Sequence, residues 1–230
     1  MKRDLPTGDD KTVAVRQMFD TIAPRYEMVN KVMTFGLDAR WRRRAVRDLY
    51  LAPGALVVDI AAGTGDFVRE LEREGHRSVA VDLSYGMLAA GHGMSRRVQA
   101  DASQLPFADF AFDGVTCGYA LRNFTDLAAT LREIGRVVRP GGRLSFLEVA
   151  EPESGLLKTG FRLWFRRAVP LVGSLLSDRE AYDYLPRSTA YLPPRPELLR
   201  LFRDAGFCAV NHRRVMGGLS QQIIATKEGS

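Results

Sequence analysis

The chain has 230 residues, of which 46% are hydrophobic and 26% charged, and its formal net charge is +6. These values exclude a disordered or low-complexity chain and predict one domain with a substantial core. The two cysteines, Cys117 and Cys208, and the three scattered histidines match no disulfide framework and no metal site, so we expect a cytoplasmic protein without a bound metal.

The sequence of residues 1–50 predicts helices. We expect them to cover a binding site as an N-terminal helical lid. Near the end of this region, a cluster of arginines surrounds Trp41. A solvated helix face is the commoner explanation for such a cluster, and attraction to phosphates is the alternative. The arginines are Arg40, Arg42, Arg43, Arg44 and Arg47.

The most informative segment is 57–67, which reads VVDIAAGTGDF. Its apolar run predicts a buried parallel strand that passes through a glycine turn into a helix N-terminus. Gly63 and Gly65 let the backbone approach a ligand closely, because glycine has no Cβ and tolerates positive φ. The helix N-terminus offers N–H groups to the same ligand.

This turn has three alternative explanations. The dinucleotide fingerprint G-x-G-x-x-G needs a third small residue, which would fall at Val68, so NAD is disfavoured. The pattern Asp-x-Ala-x-Gly-x-Gly instead resembles motif I of the S-adenosylmethionine (SAM) dependent methyltransferases. A strand–helix junction that binds nothing is the third alternative.

The next two strands also end at acids. A strand at 78–81 ends at Asp82, whose carboxylate can accept both ribose hydroxyls of an adenosine, and Ser84 looks like the N-cap of the next helix. A strand at 98–100 ends at Asp101, and in methyltransferases the acid there receives the adenine amino group. Open α/β sheets bind ligands at the carboxyl ends of their strands, so the acids at 59, 82 and 101 favour a bound adenosine group.

The remaining elements continue the alternation of strand and helix, which predicts a doubly wound α/β sheet. Residues 51–150 form the expected core, 151–192 an insertion, and 193–230 a final helix with an antiparallel hairpin at the sheet edge. The predicted elements are strands at 113–118, 144–149, 208–215 and 221–226 and helices at 67–74, 127–138 and 198–205.

The insertion contains a stretch, 155–177, that mixes basic and aromatic residues and has no acid. Phe161, Trp164 and Arg166 are typical of it. This composition suits a membrane interface, and it also suits stacking on single-stranded RNA.

Four motifs resemble those of the quinone-biosynthesis C-methyltransferases, the demethylmenaquinone methyltransferase family. They are YEMVNKVMTFGLDARW at 26–41, LRN at 121–123, RVVRPGGRLSFLE at 136–148 and AYDYLPRS at 181–188. The resemblance runs from about Val15 to Thr226. It implies a class I methyltransferase fold, a Rossmann-like, mostly parallel sheet of seven strands, with SAM as cofactor and a prenylated quinol as acceptor.

The resemblance also implies roles for individual residues. Arg122 would stabilise the phenolate of the acceptor, Asn123 would orient its hydroxyl or a water, and Tyr26 would close over the site. The alternatives are a structural salt bridge for Arg122 and hydrophobic packing for Tyr26. The predicted cofactor-binding residues are Asp59, Ala61, Gly63, Thr64, Gly65, Asp82, Leu83, Met87, Asp101, Ala102 and Gly118.

The chain departs from the family pattern at several positions. Glu27 and Asp38 stand where the first signature has Asp and His, and Gly118 replaces a serine that touches the cofactor. Ala150 replaces a serine near the end of a later signature. A relative that had moved to a different acceptor would carry such changes.

Three functions follow from these observations. The leading one is methylation of demethylmenaquinol to menaquinol, and the second is SAM-dependent methylation of another lipophilic small molecule. The third is a non-catalytic SAM-binding or RNA-binding protein. No Asn/Asp-Pro-Pro-Tyr motif follows the fourth strand, so we expect no nucleic-acid acceptor. We expect peripheral contact with a membrane surface through 155–177, and a homodimer is left open.

Overall fold

A computed structural model describes residues 7–34, 36–150, 184, 187–215 and 218–229. The predicted membrane segment, 155–177, lies outside the described residues, as does most of the predicted insertion. None of the described helices is long and apolar enough to cross a membrane.

The described residues form one sheet of seven strands in the order β3-β2-β1-β4-β5-β7-β6. Strands β1 to β5 run parallel, and β7 is antiparallel to both of its neighbours. The predicted doubly wound, mostly parallel fold is therefore confirmed. The strands are β1 (Leu56–Ile60), β2 (Arg77–Asp82), β3 (Arg97–Gln99), β4 (Phe112–Gly118), β5 (Val138–Val149), β6 (Phe207–Val215) and β7 (Ser220–Lys227).

Of the described helices, three precede the first strand in the chain, and the others alternate with the strands. Short 3₁₀ turns occur at Ala23–Arg25, Leu121–Asn123 and Thr189–Tyr191. The helices are α1 (Gly8–Ile22), α2 (Tyr26–Thr34), α3 (Asp38–Arg47), α4 (Asp66–Arg73), α5 (Tyr85–Ala90), α6 (Leu127–Val137) and α7 (Arg195–Asp204).

Two core layers arise from the alternation of side chains along each strand. In β1, Val58 faces the larger layer, which includes Leu131 of α6 and Phe202 of α7. Its neighbour Val57 faces the opposite layer, which includes Leu71 of α4. Both faces of β1 are covered, and this explains why its sequence is almost continuously apolar.

The C-terminal hairpin lies at the edge of the sheet, as predicted, but its antiparallel strand is not the edge strand. β7 lies between β5 and β6. The burial of the two strands agrees with this order, because most of β7 is buried whereas β6 is mainly exposed or half-buried.

Candidate active site

A cavity of about 350 Å³ lies at the carboxyl ends of β1, β2 and β4. All predicted site residues line it except Gly65 and Arg122. Those that line the cavity are Tyr26, Asp59, Ala61, Gly63, Thr64, Asp82, Leu83, Met87, Asp101, Ala102, Gly118 and Asn123. The volume is in the range of sites for drug-sized ligands.

The glycine turn has the conformation that its sequence predicts. Gly63 has a φ of +57° and Gly65 a φ of +85°, and Gly65 is the N-cap of α4. A Cβ on Gly63 would lie 3.0 Å from Cε of Met87, and one on Gly65 would overlap the Met94 side chain. The backbone conformation favours glycine at both positions, and a Cβ at 65 would also displace the Met94 side chain.

Asp82 is fixed between the turn and α5. Its carboxylate accepts the N–H of Gly63 at 2.7 Å and the N–H of Ser84 at 2.8 Å. Burial raises its pKa to about 6 in spite of these donors. Each oxygen keeps a lone pair, so the carboxylate fits two adjacent hydroxyls. Ser84 is the N-cap of α5, as predicted, because its hydroxyl accepts the N–H of Met87 at 3.0 Å.

Asp59 has a hydrogen-bonding capacity that the described part of the protein does not satisfy. Thr116 donates its hydroxyl to Oδ1 at 2.8 Å, whereas Oδ2 is buried without a partner. The Thr64 hydroxyl is buried and unpartnered in the same way. Burial raises the pKa of Asp59 to about 8. Buried polar atoms are normally paired, so both groups in the cavity wall fit a polar ligand.

Asp101 is exposed and lines the same cavity. Its Oδ1 accepts the N–H of Ser103 at 2.8 Å and the hydroxyl of Ser103 at 2.7 Å. The side chain is thereby held at the end of β3 next to Ala102, where the adenine group of a nucleoside would be expected.

Arg122 does not line the cavity and does not face it as a free cation. Its guanidinium pairs with Glu148, donates to the Tyr119 carbonyl at 2.7 Å and donates to the Ser188 hydroxyl at 3.1 Å. The side chain is almost fully buried. Arg122 thus lies in a buried salt bridge, which is the structural alternative for this residue.

Asn123 and Tyr26 lie on the cavity wall. The Tyr184 hydroxyl donates to Oδ1 of Asn123 at 3.3 Å. Tyr26 is half-buried, and its ring meets that of Phe19 edge-on at 6.3 Å. Burial raises the pKa of Tyr26, although the nearby Arg42 and Arg122 oppose the shift. Tyr26 is therefore a neutral phenol near pH 7 and can donate a hydrogen bond.

The cavity residues that the sequence did not predict include Arg42, Asp66 and Tyr119. Arg42 belongs to the cluster that was interpreted as a solvated helix face. Its neighbours in the cluster are exposed, but Arg42 itself is only 5% exposed. The sequence does contain a sign that Arg42 is buried. Arg42 precedes Ala45 and Val46 by three and four residues, so it lies on the same face of α3 as these two apolar residues, which are buried.

α1 crosses the cavity and is held at both ends. Near its start, Lys11 donates to the Phe124 carbonyl at 2.7 Å, and the hydroxyls of Thr12 and Thr125 are 2.7 Å apart. Near its end, Asp20 accepts the N–H of Gly86 at 2.9 Å and the hydroxyl of Ser84. α1 is thereby tied to the segments that follow β4 and β2.

Solved structures with the same fold come from proteins of different activity. A [4+2]-cyclase, SpnF, superposes with a TM-score of 0.70 over 99% of this chain and 98% of the cyclase, at 17% identity. A SAM-dependent methyltransferase from Thermotoga maritima gives a TM-score of 0.66 over 93% and 99% of the two chains, at 21% identity. These likenesses support the fold, and the reaction has to be argued from closer relatives.

Sequence relatives are much closer. The demethylmenaquinone methyltransferase of Mycobacterium marinum is 44% identical over 221 residues, which cover 95% of each chain. The ubiquinone/menaquinone biosynthesis C-methyltransferase of Syntrophotalea carbinolica is 38% identical and covers 95% of this chain and 94% of its own. The model of the ubiE/COQ5 methyltransferase family matches residues 7–227. The predicted SAM-dependent methyltransferase is thus confirmed, and the chain belongs to the ubiE/COQ5 methyltransferase family.

Proposed function

We propose that the protein methylates a ring carbon of a prenylated quinol, demethylmenaquinol, to give menaquinol. The observation that carries this proposal is the near full-length similarity to demethylmenaquinone methyltransferases, at 44% and 41% identity for two of them. The cavity supports it, because a wall that suits an adenosine continues into a region that suits a phenol. SAM supplies the reaction with a methyl group on a positively charged sulfur.

The cofactor end of the cavity is formed by the strand-end acids. Asp82 would hold the ribose hydroxyls, and Asp101 with Ala102 would hold the adenine. The unpartnered oxygen of Asp59 and the hydroxyl of Thr64 would meet the amino-acid end of SAM. These residues fit the cofactor in chemistry and in position along the strand ends.

The acceptor end is formed by Asn123 and Tyr26. A quinol carbon becomes nucleophilic when the neighbouring hydroxyl loses its proton, so the site has to hold that hydroxyl and stabilise the phenolate. The amide of Asn123 both donates and accepts, and Tyr26 donates from a phenol that stays protonated. A water held at Asn123 would carry the proton away from the hydroxyl.

Arg122 acts in this proposal as a positioning residue. It lies beside Asn123 in the 3₁₀ turn, and its contacts with Glu148, Tyr119 and Ser188 fix that turn against β5 and the segment near 188. Its positive charge is near enough to lower the pKa of Tyr26. Arg122 would therefore favour a phenolate through the field that it contributes, without touching it.

We further propose that α1 and α2 form a lid, and that the protein works at a membrane surface. A prenylated quinol stays in the bilayer, so the enzyme has to reach it at the membrane surface. The basic and aromatic composition of 155–177 supports this surface as the point of contact.

The test is a methyl-transfer assay with isotopically labelled SAM and demethylmenaquinone, supplied either reduced or oxidised. We expect a labelled menaquinone from the reduced form alone, because the oxidised ring has no hydroxyl to ionise. Asn123→Ala should lower turnover and leave SAM binding unchanged. Asn211→Ala, at an exposed position of β6, serves as the control.

If neither form is methylated while SAM still binds, the acceptor proposal is wrong, although the methyltransferase activity is not. Lipid extracts of a strain that lacks the gene would then show an unchanged quinone pool. The second candidate, another lipophilic acceptor, is favoured in that case by the substitutions at Glu27, Asp38 and Ala150.

A further inference from the structure

The amino-acid end of SAM carries an ammonium group and a carboxylate, and the cavity needs a partner for each. Three N–H groups of the glycine turn are already used within the protein and do not serve the carboxylate. Ala62 donates to the Val81 carbonyl at 3.0 Å, Gly63 to Asp82 at 2.7 Å and Gly65 to the Ala62 carbonyl at 2.9 Å.

Arg42 is the buried cation of the cavity wall. Among the described residues that line the cavity, the cationic ones are Arg16 and Arg42. The Arg16 side chain is 51% exposed, whereas that of Arg42 is 6% exposed. The Arg42 guanidinium also lies 5.8 Å from the centre of the Tyr119 ring, which limits its movement.

Arg42 makes its contacts with the acids beside it through one nitrogen, Nη1. Its Nη1 contacts Asp38 and lies 3.1 Å from Oδ2 of Asp66. Asp66 has a second cation in Arg69, and Asp38 also accepts the Asn30 amide at 3.0 Å. A guanidinium has five N–H donors, so these contacts leave it capable of binding one more carboxylate.

Asp59 provides the complementary group. Arg42 and Asp59 both line the cavity, and the charge of Arg42 acts to lower the pKa of Asp59. The unpartnered Oδ2 of Asp59 suits an ammonium, and Arg42 suits a carboxylate. An arginine, together with a buried carboxyl that can give up its proton when an ammonium faces it, matches the two charges of an α-amino acid.

We propose that Arg42 binds the α-carboxylate of SAM, with Asp59 facing the ammonium group. Arg42 is thus a cofactor-specificity residue that α3, an element before the sheet, contributes to the site. The proposal concerns the methyl donor alone, so it stands or falls separately from the identity of the acceptor.

Decarboxylated SAM is the matched probe, because it keeps the adenosine, the sulfonium and the amine and lacks the carboxylate alone. Titration calorimetry should show that the wild-type protein binds SAM more tightly by on the order of 10- to 100-fold, the range for a hydrogen bond to a charged group. Arg42→Gln should remove this preference by weakening SAM binding while affinity for decarboxylated SAM is kept.

Two control variants separate this role from a structural one. Arg43→Gln removes an exposed arginine on the same helix that pairs with Glu70, and Arg16→Gln removes the other cation of the cavity wall. Both should keep the preference for SAM. Arg42→Lys keeps a cation without the planar fork and should retain part of the preference, which covers the case that Arg42→Gln does not fold.

The proposal is overturned if the wild-type protein binds both compounds equally. It is also overturned if Arg42→Gln or Arg42→Lys weakens both by the same factor, since the side chain would then only support the cavity wall. Loss of the preference in Arg16→Gln would assign the carboxylate to Arg16 instead.

Discussion

Glu148 holds Arg122 by two contacts, because its carboxylate pairs with the guanidinium and also lies 3.4 Å from the Arg122 backbone N–H. Glu148 is 1% exposed and Arg122 5% exposed. The pair joins the end of β5 to the 3₁₀ turn that carries Asn123, so the position of that amide depends on a buried interaction.

Removing one member of this pair should destabilise the protein strongly. A buried charge left without its partner costs about 3–5 kcal/mol, which corresponds to a fall in Tm on the order of 10 °C for a chain of this size. We expect this fall for Arg122→Ala and for Glu148→Ala, measured by thermal unfolding. The double variant Arg122→Met/Glu148→Leu should recover part of the loss, and additive losses would show that the two residues do not interact.

The pH dependence of the protein's stability should reveal the raised pKa of Asp59. Its pKa is about 8 in the folded protein against 3.8 for the free side chain, because it is buried. Between these values the folded state binds a proton that the unfolded state has released, so this residue makes stability fall as pH rises from about 4 to about 8. The Tm of Asp59→Asn should therefore be higher than that of the wild-type protein at pH 8. At pH 4 the two Tm values should be nearly the same.

Asp204→Asn is the control for this experiment, because Asp204 is exposed at the end of α7. Its Tm should follow that of the wild-type protein at every pH. The assignment to Asp59 is wrong if the curves of the wild-type protein and Asp59→Asn run parallel from pH 4 to pH 8.

The glycine turn can be tested with two substitutions of similar backbone cost. Gly63 and Gly75 both have positive φ, at +57° and +82°. A Cβ at 75 meets no atom within 4 Å, whereas one at 63 reaches Met87 in the cavity wall. Both alanine variants should lose about 1 kcal/mol of stability, but only Gly63→Ala should bind SAM more weakly. Equal SAM affinity for the two variants would place the cofactor elsewhere.

Membrane association should depend on the basic residues of 155–177. Each Lys or Arg near an anionic surface contributes about 1 kcal/mol. The wild-type protein should float with anionic vesicles at low salt, and Arg162/Arg166/Arg167→Glu should not. The control is Arg195/Arg200/Arg203→Glu, which makes the same charge change at exposed positions of α7. Equal flotation of wild type and both variants would exclude the segment as the contact.

The elements that the sequence predicted well are those in which one chemical constraint dominates. The turn at 63–65 needs glycine for its backbone angles, and Ser84 caps α5 through its own hydroxyl, so both are visible from local sequence. The departure at Gly118 has a cause that only packing shows, because a Cβ there would lie 2.8 Å from Cε2 of Phe67. The family serine would therefore need a shift of that ring.

The residues that were misjudged depend on distant contacts. Arg122 follows β4 directly, so its place near the cavity was predictable, but its pairing with Glu148 joins residues 26 positions apart. Arg42 lies among exposed arginines. The spacing of α3 places it on the buried helix face, but its contact with Asp66 of α4 joins residues that are distant in sequence. Local patterns cannot assign that contact.

The attachment of α1 by polar contacts near its two ends allows this helix to detach while the sheet stays folded. Its buried residues are Lys11, Val15 and Ile22, so most of the helix surface lies outside the core. Releasing it requires the loss of a few polar contacts, while the sheet keeps all of its pairing. The amides of α1 should consequently exchange their hydrogens far sooner than those of β1 and β4, through an opening that leaves the rest of the molecule folded.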